Sequence, residues 1–277
     1  MINMAKESNT INTLRLSTWN IGGIMTNVLH LQNCLRNSDI CMIQEHWLYP
    51  DSLDFLSSLN KDFIGRGRSS NNLNLDSIWR RGKGGVGMLW RKSLDASITK
   101  LEDLGNDRII VVQVRTADEH SIFIVGVYFP SSNAAIHMYR ECMDILEDII
   151  HQLHHKGTLV ILGDFNAHIG DFGGPRSFDS INEKGKELIE LMQRTNFKSV
   201  NSQLFCTGPI ETFYGQEGLI TTTIDHIFMK VDELFLVSDC SVQNENCINL
   251  SFHLPIFCSL NIHLLHHVRS NMIEPYN

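Results

Sequence analysis

One segment shows how this chain is built, and it reads Thr158-Leu-Val-Ile-Leu-Gly-Asp-Phe-Asn-Ala-His168. Its first five residues are mostly apolar and β-branched and lie between Gly157 and Gly163, which predicts a short buried strand. Asp164 and Asn166 follow two positions apart, so an extended backbone would point both side chains to the same side. Open α/β folds place their chemistry just beyond such strand ends. The alternative interpretation is an ordinary Gly-Asp-x-Asn turn, because these residues are common in turns.

The composition is that of a globular protein, with 277 residues of which 43% are hydrophobic and 19% charged. No apolar segment follows a basic start, and the longest apolar run, around Ile122–Phe129, is too short to span a bilayer. Seven cysteines without a CxxC pair favour reduced thiols inside the cell. We therefore expect an intracellular protein that has no membrane segment.

The net charge of −8 argues against a general nucleic-acid binder, which carries a basic surplus. The charge is uneven, however, because the segment Lys61–Lys92 holds eight basic residues against two acidic ones. A basic segment within an acidic chain could contact phosphates. The alternative interpretation of this segment is a solvated surface loop.

Hydrophobic patterns along the chain predict eight strands and four helices. The predicted strands are Leu14–Asn20, Asp39–Glu45, Gly85–Trp90, Arg108–Val114, Ser121–Phe129, Thr158–Leu162, Thr221–Met229 and Leu254–Ile262. The predicted helices are Asn27–Arg36, Ser52–Leu59, Asn133–His155, with Ser131, Ser132 or Asn133 as its N-cap, and Glu183–Thr195. The stretch from Gly65 to Gly84 is expected to be irregular.

The order of these elements predicts a single α/β domain in which two mixed β-sheets pack face to face with helices on the outside. The three strands between Gly85 and Phe129 follow one another closely, so we expect them to be mostly antiparallel neighbours. We place the domain at residues 14–262, between a disordered N-terminal segment, residues 1–13, and a C-terminal tail, residues 263–277.

Polar side chains recur where the predicted strands end. They are Asn20, Glu45, Tyr128, Asp164, Asn166, Asp225 and His253. Carboxylate and amide oxygens suit Mg²⁺, and a histidine beside a carboxylate suits a group that faces developing negative charge. The sequence has neither a thiolate set for zinc nor a Walker-type loop, so the chemistry that fits is metal-assisted attack of water on a phosphate ester. We predict no organic cofactor.

Six short blocks occur in an order that resembles the endonuclease/exonuclease/phosphatase superfamily. They are Trp19-Asn20, Gln44-Glu45, Tyr128-Phe-Pro130, Gly163-Asp-Phe-Asn166, Ile224-Asp-His226 and Ser251-Phe-His253. The chain looks most like the apurinic-type endonuclease domains of LINE-type retrotransposons, over about residues 14–262. This resemblance implies a four-layer α/β sandwich and a metal-dependent endonuclease that hydrolyses the phosphodiester bonds of DNA.

The resemblance also implies a role for each residue at the strand ends. Asn20, Glu45 and Asp164 would lie at a Mg²⁺ or Mn²⁺ ion. Asp164 and Asn166 would orient or deprotonate the attacking water. Tyr128 and His253 would stabilise the transition state, and Asp225 would fix the ring of His253. Each residue also has a structural interpretation, as a turn former, a core aromatic, a strand cap or a loop histidine.

One block departs from the family pattern, because Ser-Asp-His is replaced by Ser251-Phe252-His253. Phenylalanine cannot bind a cation or accept a hydrogen bond, and losing an oriented polar group of this kind costs about 10²–10³ in rate. We therefore expect weakened or abolished catalysis.

Two other functions stay open. One is a phosphatase or phosphodiesterase of the same fold that acts on small phosphate esters, and the other is an inactive remnant that binds DNA or a protein. We expect a monomer with DNA as its substrate and without an obligate protein partner, located in the nucleus if DNA is the substrate. We also expect no reverse transcriptase domain on this chain.

Overall fold

The computed structural model describes residues 10–71, 82–131, 133–215 and 218–265. Within these ranges the chain forms four α-helices, α1 (Ile24–Arg36), α2 (Phe55–Ser58), α3 (Ile136–Leu153) and α4 (Glu183–Arg194). None of the helices in the described part of the chain has the length and apolar character that a membrane span needs.

Within the same ranges, strands lie before, between and after these helices. They are β1 (Thr10–Asn20), β2 (Ile40–Gln44), β3 (Phe63–Arg68), β4 (Val86–Arg91), β5 (Ile98–Lys100), β6 (Ile109–Arg115), β7 (Ser121–Tyr128), β8 (Thr158–Asp164), β9 (Phe197–Ser199), β10 (Cys206–Thr207), β11 (Phe213–Gly215), β12 (Ile220–Thr222), β13 (Asp225–Lys230), β14 (Val237–Val242) and β15 (Ile256–Leu265).

Most strands belong to two large mixed sheets. The seven-stranded sheet has the order β10-β14-β15-β1-β2-β4-β3, and the six-stranded sheet has the order β5-β6-β7-β8-β13-β9. The pairs β1–β2 and β7–β8 are parallel, whereas β13 runs antiparallel to β8. Strands β11 and β12 form a separate antiparallel hairpin.

The inner faces of the two sheets form one hydrophobic core. Alternate residues of each strand point inward, among them Leu16 and Met42 from the seven-stranded sheet and Ile124, Leu162 and Ile227 from the six-stranded sheet. Helices α1 and α2 cover the outer face of the first sheet, and α3 and α4 cover the outer face of the second. The predicted fold, two mixed sheets face to face between outer helices, is confirmed.

The sheets approach each other closely beneath one end of the sandwich. A Cβ atom on Gly126 of β7 would lie only 2.2 Å from the sulfur of Met42 on β2. A side chain at position 126 would therefore displace the side chain of Met42 from its place between the sheets.

Two predictions about the strands were wrong in part, the first for β3 and the second for β4. Strand β3 lies at the start of the stretch expected to be irregular, because its glycines admit helix α2: a Cβ on Gly65 would lie 2.5 Å from the backbone of Leu56. Strand β4 pairs with β2 and β3 in one sheet, whereas β6 and β7 pair in the other. The chain crosses from the seven-stranded sheet to the six-stranded sheet through the turn Lys92–Ser97 and strand β5. The short length of this connection did not indicate a change of sheet.

Element boundaries also differ from those expected. Helix α3 begins at Ile136 with Ala135 at its N-cap and no capping side chain, so Ser131 and Asn133 are not its cap and Ser132 lies outside the described residues. Strands β1 and β15 pair from Thr10 to Leu265, beyond the limits expected for the domain. Residues 1–9 and 266–277 of the expected terminal segments lie outside the described residues.

Candidate active site

The candidate site forms where the inward-facing positions of both sheets change from apolar to polar. Asn20, at the end of β1, is the register partner of Gln44 in β2, and Glu45 follows directly. Across the gap, Asp164 of β8 has Tyr128 of β7 as its register partner on one side and Asp225 of β13 on the other. The pairing of three strands therefore sets a phenol and two carboxylates side by side.

Asn20 joins the two sheets at this point. Its amide nitrogen donates to Glu45 Oε1 at 3.0 Å and to Asp164 Oδ2 at 2.8 Å. Its side-chain oxygen accepts the backbone N–H of Gly22 at 3.2 Å. Asn20 thus holds both carboxylates through one donor group, and its own oxygen is turned away from them.

Two site residues have a left-handed backbone conformation, Glu45 with φ 56° and Asn166 with φ 49°. Non-glycine residues in this conformation are uncommon and cluster at functional sites. The Asn166 side chain donates to Asp164 Oδ2 and to the carbonyl of Phe129, both at 3.0 Å. These bonds offset the strain and fix the Asp164 carboxylate in one orientation.

Asp225 and His253 form a buried pair on the other side of Asp164. His253 Nδ1 lies 2.8 Å from Asp225 Oδ2, which also accepts the hydroxyl of Thr212 at 2.7 Å. Burial by itself would lower the pKa of His253, but the charge of Asp225 and this hydrogen bond raise it to about 9. The imidazole is therefore charged at neutral pH and donates its Nδ1 proton to Asp225.

The surroundings of Asp164 disfavour the charged form of its carboxylate. Burial, and after it the charge of Asp225, raise its pKa to about 7. A nearby cation would favour the charged form and restore the acidity of this group.

Two subsets of these residues have the donor atoms for a metal ion. The ligand atoms of Asp164, Asp225 and His253 lie within 4.8 Å of one another. His253 in its charged form has no lone pair to offer and would repel a cation, so this subset fits a metal poorly. Glu45 and Asp164, bridged by Asn20, present carboxylate oxygens and fit a hard divalent cation.

Three residues that support the site were missed by sequence reasoning. The indole N–H of Trp47 donates to Glu45 Oε2 at 3.0 Å. Ser251 Oγ donates to the carbonyl of Asn20 at 2.6 Å and accepts the backbone N–H of His253 at 3.1 Å. Trp47 and Ser251 lie two positions from Glu45 and His253, so their closeness in sequence could have identified them. Thr212 lies 13 positions from Asp225, and only the tertiary structure brings the two together.

Trp47 and Trp90, whose rings have the chemistry to stack on nucleobases, pack against other parts of the protein. Trp90 is buried in the inter-sheet core, and Trp47 is half-buried against Gly23, where a Cβ atom would lie 2.4 Å from its ring. Trp79 lies outside the described residues.

The basic segment Lys61–Lys92 is only partly directed at the site. Arg91 pairs with Asp39 at 2.9 Å, and Arg68 donates to three backbone carbonyls, so both have structural contacts. Lys83 lines a cleft of about 430 Å³. The same cleft is lined by Arg108, Glu45 and Tyr128 among others. Arg80 and Arg81 lie outside the described residues.

Phe252, which replaces the family's aspartate, turns its side chain outward. The side chain is 63% exposed, although His253 next to it is only 8% exposed. The backbone carbonyl of Phe252 accepts the N–H of Tyr214 at 2.7 Å. The substitution therefore places an exposed aromatic ring at the edge of the candidate site.

A buried histidine beside the site makes the fold sensitive to acid. His226 is fully buried with its ring near Phe165 and Phe228, and burial lowers its pKa to about 4. Its unfolded pKa of about 6.5 is higher, so the unfolded state binds the proton first and stability falls from about pH 6.5 to pH 4. The loss is on the order of 3 kcal/mol.

We expect His226→Phe to reduce this pH dependence, measured by urea unfolding at pH 7 and pH 4.5, with a remaining slope from His46, whose pKa burial also lowers to about 4. His151→Gln, which changes a largely exposed histidine, is the matched control and should leave the slope unchanged. An equal slope in wild type and His226→Phe would contradict the assignment.

The comparisons with known proteins concern the family and the fold of the chain. The profile of the Endonuclease/Exonuclease/phosphatase family matches residues 17–243. A comparison with curated protein sequences gives no significant match.

Several solved structures have a similar fold. A 3' phosphatase from Neisseria bound to a product DNA hairpin has a TM-score of 0.68 and 17% identity, over 89% of this chain and 99% of that chain. The AP endonuclease LMAP from Leishmania major has a TM-score of 0.68 and 16% identity, over 90% and 88%. The endonuclease domain of TRAS1, a telomere-specific non-LTR retrotransposon, has a TM-score of 0.66 and 17% identity, over 90% and 99%.

At these identities the structural likeness shows the fold alone, and the sequence profile shows the family. Because the profile covers well over half of its length, the chain belongs to the endonuclease/exonuclease/phosphatase family.

Proposed function

We propose that this protein is a metal-dependent endonuclease that hydrolyses phosphodiester bonds in DNA. The observation that carries the proposal is that a pair of carboxylates and a carboxylate–histidine pair lie next to each other in one site. On one side Asn20 bridges the carboxylates of Glu45 and Asp164, and on the other the charged pair of Asp225 and His253 is buried. The first half suits a divalent cation, and the second suits the negative charge of a phosphate.

Glu45 and Asp164 would hold Mg²⁺ or Mn²⁺. When bound, the ion supplies Lewis-acid stabilisation of charge on the phosphate oxygens. Asn20 was expected among the ligands, but its oxygen accepts Gly22 N–H, so its part in this proposal is to hold both carboxylates through its amide nitrogen.

Asp164 would accept the proton of the attacking water. The charge of the bound ion would keep this carboxylate ionised and able to accept a proton, and Asn166 keeps it in place. His253, held by Asp225, would donate a hydrogen bond to the phosphate. Tyr128 would donate a second one, because burial and the charges of Glu45 and Asp164 raise its pKa well above its usual range and keep the phenol protonated.

DNA is the substrate that we favour. The solved structures with a similar fold include a phosphatase bound to a DNA hairpin, an AP endonuclease and a retrotransposon endonuclease domain. The cleft beside Glu45 and Tyr128 also carries Lys83 and Arg108, two cations that suit backbone phosphates, together with the carboxylates of Asp107 and Glu141. Phe252 favours a second candidate, a protein that binds DNA with little or no turnover.

The test is nicking of supercoiled plasmid and of abasic and intact duplexes, with Mg²⁺, Mn²⁺ or EDTA. RNA and inositol phosphates complete the substrate panel. Glu45→Gln should lower metal-dependent cleavage by about 10²-fold or more and weaken Mg²⁺ binding measured by calorimetry. Glu190→Gln, at an exposed position on α4, should change neither. Cleavage that persists in EDTA, or in Glu45→Gln, would refute the proposed metal site.

A further inference from the structure

A row of aromatic rings leads from the candidate site to the surface. The ring of Phe213 lies 4.9 Å from that of His253 and 6.3 Å from that of Phe252, both as edge contacts. His253 is buried at one end of the row, and Phe252 is 63% exposed at the other. The row therefore connects the buried ring of His253 with the exposed ring of Phe252.

The backbone holds this row in place. Phe252 O accepts Tyr214 N–H at 2.7 Å, and Leu254 N–H donates to Thr212 O at 2.7 Å. Phe213 and His253 pair between these two bonds as a β-bridge. The backbone of Phe252 is thus held in place before a ligand binds. Stacking a ligand on its ring would therefore cost little backbone entropy.

A cavity of about 510 Å³ opens beside Phe252. Tyr214, Phe252 and Leu254 form its apolar wall, and Glu245, Asn246 and Asn249 line its polar part. Ser251 also lines it, and the same hydroxyl contacts Asn20 and His253. The cavity and the candidate site therefore share one wall.

The lining determines which ligand fits. Among the described residues, no lysine or arginine lines it, and Glu245 would repel an anion, so a second phosphate is a poor occupant. A flat, uncharged group with hydrogen-bonding edges would stack on Phe252 and meet the amide and carboxylate groups opposite. In a nucleic acid, the group with these properties next to a phosphate is a nucleobase.

We propose that Phe252 stacks on an unpaired nucleobase adjacent to the scissile phosphate, seated in this cavity. The proposal rests on the proposed function, and it adds a substrate class: nucleic acids in which the base beside the cleaved bond is unpaired. In this proposal Phe252 has a binding role, because its ring supplies a stacking surface at the position where the family pattern has a carboxylate.

The test measures binding without turnover. Fluorescein-labelled single-stranded and mismatched DNA oligonucleotides are titrated in EDTA and followed by fluorescence anisotropy. Phe252→Ala should weaken binding by about 5- to 150-fold, which is the usual effect of removing one base–aromatic stack. Phe252→Tyr should retain most of the affinity, whereas Phe252→Leu, which keeps apolar volume without a ring, should behave like Phe252→Ala.

An abasic scan locates the contact. When each base in turn is replaced by an abasic residue, one position should cancel the difference between wild type and Phe252→Ala, because both proteins then lack the stack. Phe235→Ala is the matched control, since Phe235 is 77% exposed and follows the end of β13 that lies away from Asp225. Its affinity should equal that of wild type.

The outcomes separate the two proposals. If wild type binds oligonucleotides but Phe252→Ala binds as tightly, or is weakened equally at every abasic position, the stacking inference is wrong and the proposed function stands. If wild type binds no oligonucleotide and cleaves none, both proposals fall.

Discussion

Asp164→Asn is expected to lower the rate of metal-dependent DNA cleavage by about 10²–10⁴-fold, the usual contribution of a general base. Asn keeps the size of the side chain but cannot accept a proton. It also has only one side-chain oxygen, whereas the Asp164 carboxylate accepts the backbone N–H of Asn166 on Oδ1 and the side-chain amides of Asn20 and Asn166 on Oδ2. The measurement is single-turnover cleavage of labelled duplex at saturating protein. Asp148→Asn, an exposed carboxylate on α3, serves as the matched control.

The stability of Asp164→Asn, compared with that of wild type at different pH values, shows whether its loss of activity results from a loss of folding. Asp164 has a folded pKa of about 7, above its unfolded value of about 3.9, so its burial costs stability progressively as the pH rises from about 4 to 7. Asn removes that cost. We expect the Tm of Asp164→Asn relative to wild type to be higher at pH 8 than at pH 5, measured in EDTA. Full activity in a stably folded Asp164→Asn would remove Asp164 from the mechanism.

Phe252→Asp is expected to raise the cleavage rate by about 10²-fold, in the opposite direction to the other site substitutions. The change restores the carboxylate that the family pattern places beside His253. An added carboxylate at the edge of the site would strengthen metal binding and orient the water. Single-turnover rates and the Mg²⁺ concentration for half-maximal rate are the quantities to measure.

Two further variants separate charge from loss of the ring. Phe252→Asn has the size of Asp without its charge, and Phe252→Ala removes the ring alone, so neither should gain activity. Phe252→Asp should also bind oligonucleotides as weakly as Phe252→Ala in EDTA, because both lack the stacking surface. Brisk wild-type cleavage that Phe252→Asp does not increase would show that Phe252 does not impair catalysis.

The sequence alone determined the layered architecture and the strands that end in polar residues. The apolar stretch Thr158–Leu162 followed by Asp164 and Asn166 predicted a buried strand with polar side chains at its end, and β8 has this form. The prediction was possible because strand periodicity and helix spacing are local properties, readable within a few residues. The predicted helices and strands differ from the observed ones mainly at their ends, but strands β3, β5, β9, β10, β11 and β14 were not predicted.

Contacts between distant residues were decided only by the tertiary structure. Strand β4 joined the other sheet, the glycines of β3 proved to admit α2, and Thr212 reached Asp225 from a separate loop. The direction of the Asn20 amide likewise depends on carboxylates 25 and 144 positions away. None of this leaves a local pattern, because the burial, charge and packing that select these arrangements arise only when the two sheets close on each other.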